Sequence, residues 1–384
     1  MNINKAIANE VYKNLTCTFN GLLVKSGKPI VRSNGVKEWT VLSGICAVEK
    51  NDDANPNVEL IALATGVKCL PDKTREYSHG SIVHDSHAEI LVLRLFNWFI
   101  LKECQKKHSQ YLLKGLKGTY YWNKKYKLAL YISEPPCGDA STLYLASKTN
   151  STDNWEDEQD KDNCAEEPKT KKPKLVRGRF GFGQLGIIRS KPGRLDSIPT
   201  KSKSCSDKLT VKQVTGVTNA LVSLLLPDGV YIDYLVLGEF KEEDTNRCFN
   251  SRISNIEQKQ ALNVVKFDKK EDEEYEYKFH RQDNFQPSPL SLLYIAPYNF
   301  VEVLNNGVKN GSYIKNKPPK PSGESIICNK QLYQLFTQVY QGTKTYTSYN
   351  ELKVSNEERQ HLKDKARSTL GIWTSTSLDD FSLL

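Results

Sequence analysis

The chain has 384 residues, 38% hydrophobic and 10% aromatic, which supports a substantial buried core and excludes a disordered chain. Its longest strongly apolar run, residues 90–101, is broken by Arg94 and Asn97 and is too short to span a bilayer; the first residues lack the apolar core of a secretion signal. A net charge of +9 suits an anionic partner, and nine cysteines with no Cys-x-x-Cys pair argue for reduced thiols in an intracellular protein of the nucleus or cytoplasm.

In chain order, residues 1–20 read as a helix. Segments 40–48 and 59–67, rich in Val, Ile, Leu and Ala, read as strands. A polar loop over 70–86 leads into 88–107, apolar nearly all round and therefore a buried helix. Residues 128–132 make a short apolar strand ending at Pro135-Pro136, and a second helix is expected to begin at Cys137. Residues 149–174 run from Asp153, Glu156, Asp157 and Glu158 to Lys169, Lys171, Lys172 and Lys174 with minimal apolar content, so a disordered charged insertion is expected. Its Pro-Lys-Thr-Lys-Lys-Pro-Lys end resembles a nuclear localisation patch, a plain charged loop being the alternative. A second charged stretch, 266–281, reads as a surface loop. The expected architecture is one α/β domain over 1–384, with a mixed central sheet flanked by helices.

His87-Ala88-Glu89 heads the buried helix. Alone it says little, because His and Glu two residues apart arise by chance. Glu134-Pro135-Pro136-Cys137-Gly138-Asp139 adds weight, since a strand there is expected to deliver a cysteine to the start of a helix. His-x-Glu followed by Pro-Cys-x-x-Cys marks the zinc nucleobase deaminases. Here Ala140 occupies the second cysteine position, so the third protein ligand of an open zinc site must come from elsewhere. Cys205, in Ser204-Cys205-Ser206-Asp207-Lys208, is the best choice. One histidine and two thiolates leave tetrahedral zinc one position for water, whose pKa falls to about 7. A helix N-terminus favours the thiolate form. Glu89 is not needed as a ligand and would carry the water's proton to the base and the leaving ammonia. The bland alternative makes His87 a cap, Glu89 a surface carboxylate and the cysteines core residues; both motifs in their strand and helix contexts weigh against it.

These residues resemble the RNA adenosine deaminases. The matching pieces are His-Ala-Glu-Ile at 87–90, Pro-Pro-Cys-Gly-Asp-Ala-Ser at 135–141, Ser-Cys-Ser-Asp-Lys at 204–208 and Arg-Ile-Ser-Asn-Ile-Glu at 252–257. Thr-Gly-Val-Lys-Cys at 65–69 and Leu-Gly-Ile-Trp at 370–373 match too, so the resemblance covers nearly the whole chain. It implies a cytidine-deaminase-like three-layer core over about 40–240 with a C-terminal extension, zinc on His87, Cys137 and Cys205, and Glu89 as proton shuttle. It further implies a buried inositol hexakisphosphate held by Arg94, Lys208, Tyr349, Lys353, Lys363 and Trp373, with Arg359 and Lys309 beside them. By the same resemblance Asp85 and Lys191 connect Lys208 to the metal; His84 stands where the family has asparagine. Without the family, Lys353 and Lys363 read as a solvated helix face.

Two details are similar to the tRNA branch, which acts on the adenosine 3′ to the anticodon of alanine tRNA. The motifs run from Thr65 to the end without the RNA-binding domains of the double-stranded editors, and Ser141 replaces their arginine. Their acidic base-flipping residue is also missing from the loop 191–199, where Leu195 and Asp196 stand. For RNA, Arg177, Arg179, Arg189, Lys191 and Arg194 lie in a glycine-punctuated segment suited to closing on phosphates, with Phe180 and Phe182 for stacking or core. Lys68 would touch the target nucleotide by resemblance; Arg247 and Arg252 are further options. The expected partner is tRNA and no membrane; oligomeric state stays open, a monomer included. Rival readings are cytosine deamination and a non-catalytic RNA-binding subunit whose structural zinc would take four protein ligands.

Overall fold

The computed structural model describes residues 3–49, 56–148, 176–177, 183–191, 198, 200–268 and 276–384. The expected insertion at 149–174 lies outside them, as do Arg179, Phe180, Phe182, Arg194, Leu195 and Asp196. In the first third, α1 (Ile3–Gly21), β1 (Glu38–Trp39), β2 (Leu42–Glu49), β3 (Val58–Thr65), β4 (Val67–Cys69) and β5 (Asp85–His87) lead to α2 (Ala88–Gln105). Next come β6 (Leu112–Lys114), β7 (Tyr120–Trp122), β8 (Tyr126–Ile132), α3 (Thr142–Lys148), α4 (Cys205–Thr215), α5 (Val222–Leu225), β9 (Tyr234–Leu237) and α6 (Glu242–Phe249). The rest is β10 (Asn263–Lys266), β11 (Gln286–Pro287), β12 (Leu290–Ile295), β13 (Phe300–Asn305), β14 (Val308–Lys309), α7 (Asn329–Thr337), α8 (Tyr349–Val354) and α9 (Glu357–Leu370).

An eight-stranded sheet in the order β10-β9-β8-β2-β3-β12-β13-β14 organises these elements. β8, β9 and β10 are parallel neighbours and the other pairs antiparallel, so the sheet is mixed as expected. Side chains alternate across a strand, so each face buries its own set. Ile45 and Ala47 of β2 pack with Leu91, Leu95, Phe96 and Phe99 of α2. Leu42, Cys46 and Val48 pack with Val11, Leu15 and Phe19 of α1 on the other face. α2 is buried on nearly every side, and no described helix is long and apolar enough to cross a membrane.

Three expectations change. Residues 263–309 contribute β10, β12, β13 and β14 to the central sheet, so the sheet is not confined to 40–240. The stretch 266–281 is not simply a surface loop: Phe267 and Tyr277 are buried in the α1-side core, because each aromatic removes more apolar area from water than its charged neighbours need in solvation. No helix begins at Cys137. A 3-10 turn, Asp139–Ser141, comes first and α3 follows at Thr142.

Candidate active site

The sheet brings three segments to the N-terminal end of α2. Pairing of β4 with β5 sets Val67 opposite His87 and Lys68 opposite Ser86. Gly66 makes that approach feasible, since a Cβ there would meet the Ser86 carbonyl oxygen at 2.1 Å. His87 is the N-cap of α2 in an extended conformation (ψ 138°) and makes no side-chain capping bond. Its Nδ1 lies 3.8 Å from Cys137 Sγ. Cys205 opens α4, where Ser204 caps the helix by accepting from the Asp207 N–H. The helix N-terminus therefore serves the other cysteine: the Cys205 N–H donates to Cys137 Sγ at 3.3 Å. This replaces the expected helix at Cys137 as the source of thiolate stabilisation.

One ligand atom from each of His87, Glu89, Cys137 and Cys205 lies within 4.8 Å of the others. A hydrogen bond with the Cys205 side chain, helped by nearby His87 and Lys191 and opposed by burial, holds the Cys137 thiol well below its ordinary pKa. Burial pushes Cys205 up, and contact with Cys137 pushes it further. Glu89 is 3% exposed, and its Oε2 is buried with no hydrogen-bond partner among the described residues. A donor set of two sulfurs and one imidazole fits zinc with one position left for water, and the unpartnered Glu89 oxygen beside it is the mark of a group missing its polar partner.

The two cysteine segments touch at Gly138 and Ser204–Ser206. The Ser206 N–H donates to the Cys137 carbonyl at 3.0 Å and Ser206 Oγ accepts from the Ala140 N–H at 3.1 Å. Gly138 sits at φ 106°, and a Cβ there would meet Ser204 Oγ at 2.2 Å. Gly138→Ala is expected to cost about 1–3 kcal/mol from the backbone alone and to weaken metal binding by separating the cysteines. Thermal unfolding and a zinc competition assay check both effects.

Behind Cys205 a chain of charges runs into the protein. Lys191 Nζ donates to Cys205 Sγ at 2.9 Å and to Asp85 Oδ2 at 2.7 Å. Lys208 Nζ also donates to Asp85 Oδ2, and to Ser202 Oγ at 2.8 Å. Although burial opposes it, Lys191 and Lys208 hold Asp85 far below the usual carboxylate range. His84, next to it, lies 3.0 Å from Asp379 Oδ2.

Beyond Lys208 lies a cluster of cations. Arg359, Lys363 and Arg367 stand four residues apart on one face of α9. Like charges at that spacing repel. Burial lowers Lys363 to about 8, and Arg367, Lys353 and Arg359 contribute. Lys353 keeps solvent contact but is lowered by burial, then by Arg75 and Arg367. Arg359 Nε, Arg367 Nε and Lys203 Nζ are buried and unpartnered among the described residues. Trp373 stacks under Arg367 at 4.9 Å, and Tyr349 is buried against Phe381 at 4.7 Å. Arg94 already donates to the Ile327 carbonyl at 2.8 Å and to Asn329 Oδ1 at 2.9 Å. Lys309 is tied instead to the Ser322 carbonyl at 3.2 Å. Sequence reasoning missed Arg75, Lys203, Lys212 and Arg367, although the spacing of 359, 363 and 367 was there to be read. Crowded, desolvated cations, three of them with a buried nitrogen unpartnered among the described residues, fit a polyanion of inositol hexakisphosphate type, whose charge offsets their repulsion.

The arginines expected on RNA divide differently. Arg189 is 0% exposed, and its guanidinium donates to the Arg177 and Gln184 carbonyls at 3.3 and 2.6 Å, so it is an internal residue and not an RNA contact. Arg247 donates to Asp139 and Asp244, and Arg252 to Asp207 and Asp139, so both guanidinium groups are engaged within the protein. Lys68 remains half-buried beside the metal strands, with its pKa lowered by burial and then by Arg32.

A family model for the adenosine-deaminase (editase) domain matches residues 62–377. The chain is 33% identical to tRNA-specific adenosine deaminase 1 of Saccharomyces cerevisiae over 370 residues, covering 92% of this chain and 89% of that protein. It is 32% identical to the protein of the same name from Schizosaccharomyces pombe over 381 residues, covering 94% and 92%. Similarity to a mouse double-stranded RNA-specific editase B2 is 24% over 210 residues, covering 51% of this chain and 27% of that protein.

Proposed function

This chain belongs to the adenosine-deaminase (editase) domain family, and we propose that it hydrolyses adenosine to inosine and ammonia in tRNA. The observation that carries the reading is the buried Glu89 carboxylate, with one oxygen unpartnered among the described residues, beside His87, Cys137 and Cys205. Those three hold zinc, which when bound supplies the Lewis acid that makes water a nucleophile near neutral pH. Glu89 takes the proton of the attacking water and delivers it to the ring nitrogen and then to the departing amine, a task needing one carboxylate within reach of both. Lys191, held by Asp85, donates to Cys205 and fixes the sulfur's orientation. Lys68, on the strand paired with Ser86 and His87, touches the target nucleotide by resemblance to the family.

The names of the yeast relatives support tRNA over other RNAs. By the same resemblance the target is the adenosine 3′ to the anticodon of alanine tRNA. A loop nucleotide is already unpaired, so its extrusion costs less than from a duplex. We read the fold as one domain with a cytidine-deaminase-like three-layer core, whose C-terminal helices complete an inositol hexakisphosphate site from Arg94, Lys208, Tyr349, Lys353, Arg359, Lys363 and Trp373. Incubation with total tRNA followed by inosine mapping tests the activity. Inosine at one loop position of one isoacceptor is expected; uridine in its place, or no change in any tRNA, would overturn it.

A further inference from the structure

Three arginines and three aspartates meet beneath the metal centre. Arg252 Nη2 donates to Asp207 Oδ1 at 2.8 Å, and its Nη1 lies 3.5 Å from Asp139 Oδ2. Arg247 Nε donates to Asp139 Oδ1 at 3.1 Å and its Nη2 to Asp244 Oδ1 at 2.6 Å. Arg189 adds its charge beside both Asp139 and Asp207, and its backbone N–H donates to Asp207 Oδ2 at 3.0 Å. All three carboxylates are 0% exposed and the six charges sum to zero. Buried ions are tolerated on those terms alone, paired and hydrogen-bonded.

Their places in the sequence matter more than their charge. Asp139 is two residues beyond Cys137, Asp207 two beyond Cys205, and Arg189 two before Lys191, the donor to Cys205. Each of the three segments that build the sulfur side of the site therefore carries one member of the cluster at the same short reach. Arg252, from the 3-10 turn after α6, is the member that touches both cysteine segments. Asp139 also accepts from the Gly186 N–H at 2.8 Å, so the loop over 183–191 is gauged against the same carboxylates.

We propose that Arg252 is a positioning residue for the metal centre: by bridging Asp139 and Asp207 it sets the separation and orientation of Cys137 and Cys205. Its guanidinium contacts Asp139, Asp207 and Cys248 rather than His87, Cys137 or Cys205. A positioning role and a merely stabilising one make different predictions, because removing Arg252 also takes a charged partner from two buried carboxylates and leaves the cluster with excess negative charge. The pair Arg252→Met and Arg252→Met with Asp207→Asn separates them. The second change removes one excess negative charge, while the amide oxygen it places at position 207 can still accept from Ser204 and Arg189.

In the full chain, three quantities are measured: zinc affinity against a chromogenic chelator, the visible spectrum of the cobalt-substituted protein, and the unfolding midpoint. Arg252→Met is expected to weaken zinc about 10–100-fold, shift the cobalt–thiolate bands and lower the midpoint. The double variant regains much of the midpoint but neither the affinity nor the bands, and Arg252→Lys falls between. Should the double variant recover affinity and spectrum together with the midpoint, Arg252 is only structural and the proposal fails. The same failure follows if Arg252→Met folds and keeps parental affinity and bands. The proposal rests on the zinc-deaminase reading for its kinetic arm alone, where kcat for inosine formation should fall more than KM rises. Parental protein that binds zinc yet forms no inosine would sink that reading, while affinity and spectrum still decide the role of Arg252.

Discussion

Glu89→Ala is expected to retain zinc and tRNA and to form inosine at least about 100-fold more slowly than the parent, the low end of what a positioned general acid–base contributes. Two proton movements depend on the same carboxylate here, so the loss should approach the high end, about 10,000-fold. The side chain is 3% exposed and has no competing structural partner at Oε2 among the described residues, so its removal leaves no orphaned donor behind. Glu89→Gln keeps the shape and removes the basicity, and should be as inactive as the alanine variant. Zinc content, a tRNA binding isotherm and single-turnover inosine formation measure the three quantities separately. Loss of zinc along with activity would make Glu89 a fourth ligand. The site would then be closed, as structural zinc sites are, and the non-catalytic reading would gain. Persistent turnover would remove Glu89 from the reaction altogether.

The residues that the fold brings together around His87 were legible because each lies in a short motif whose backbone setting can be read locally. His87 heads an apolar helix, and Cys137 follows a strand and two prolines. Cys205 was found by elimination and motif, and its helix carries its own cap in Ser204. The error at Cys137 shows the limit. That cysteine depends on a helix N-terminus, but on one that begins 68 residues later, and such a contact leaves no trace in local periodicity.

The arginines failed for the same reason in reverse. Arg189, Arg247 and Arg252 look solvated because a single sequence does not reveal which distant carboxylate meets each one. Asp139, Asp207 and Asp244 come from three separate segments and are neutralised only by the fold. The strands after residue 260 were overlooked although 290–295 is a plain apolar run, because the motifs drew the core boundary too early.

Removing the polyanion should do more to stability than any single substitution. Arg359, Lys363 and Arg367 share a face of α9, with Lys353 and Lys212 facing them, so the cluster without its ligand is strained by like charge. A ligand present at about 1,000 times its Kd adds about 4 kcal/mol, or about 5 °C in a chain of this size. Refolding of stripped protein with and without inositol hexakisphosphate, followed by thermal unfolding, reads that difference. The sign of a charge removal should invert with occupancy: Lys363→Met stabilises the free protein and destabilises the loaded one. The same logic fixes a pH dependence. Lys363 sits near pKa 8 in the free fold, against about 10.4 when unfolded. Between those values the unfolded chain binds more protons, so the free protein gains stability as pH rises from about 8 to 10. A phosphate beside Lys363 raises its pKa again, so binding takes up a proton and affinity falls as pH rises through about 8. Calorimetric titration in two buffers of different ionisation enthalpy measures that uptake. A proton balance of zero, with Lys363→Met equally destabilising in both forms, would place the anion elsewhere.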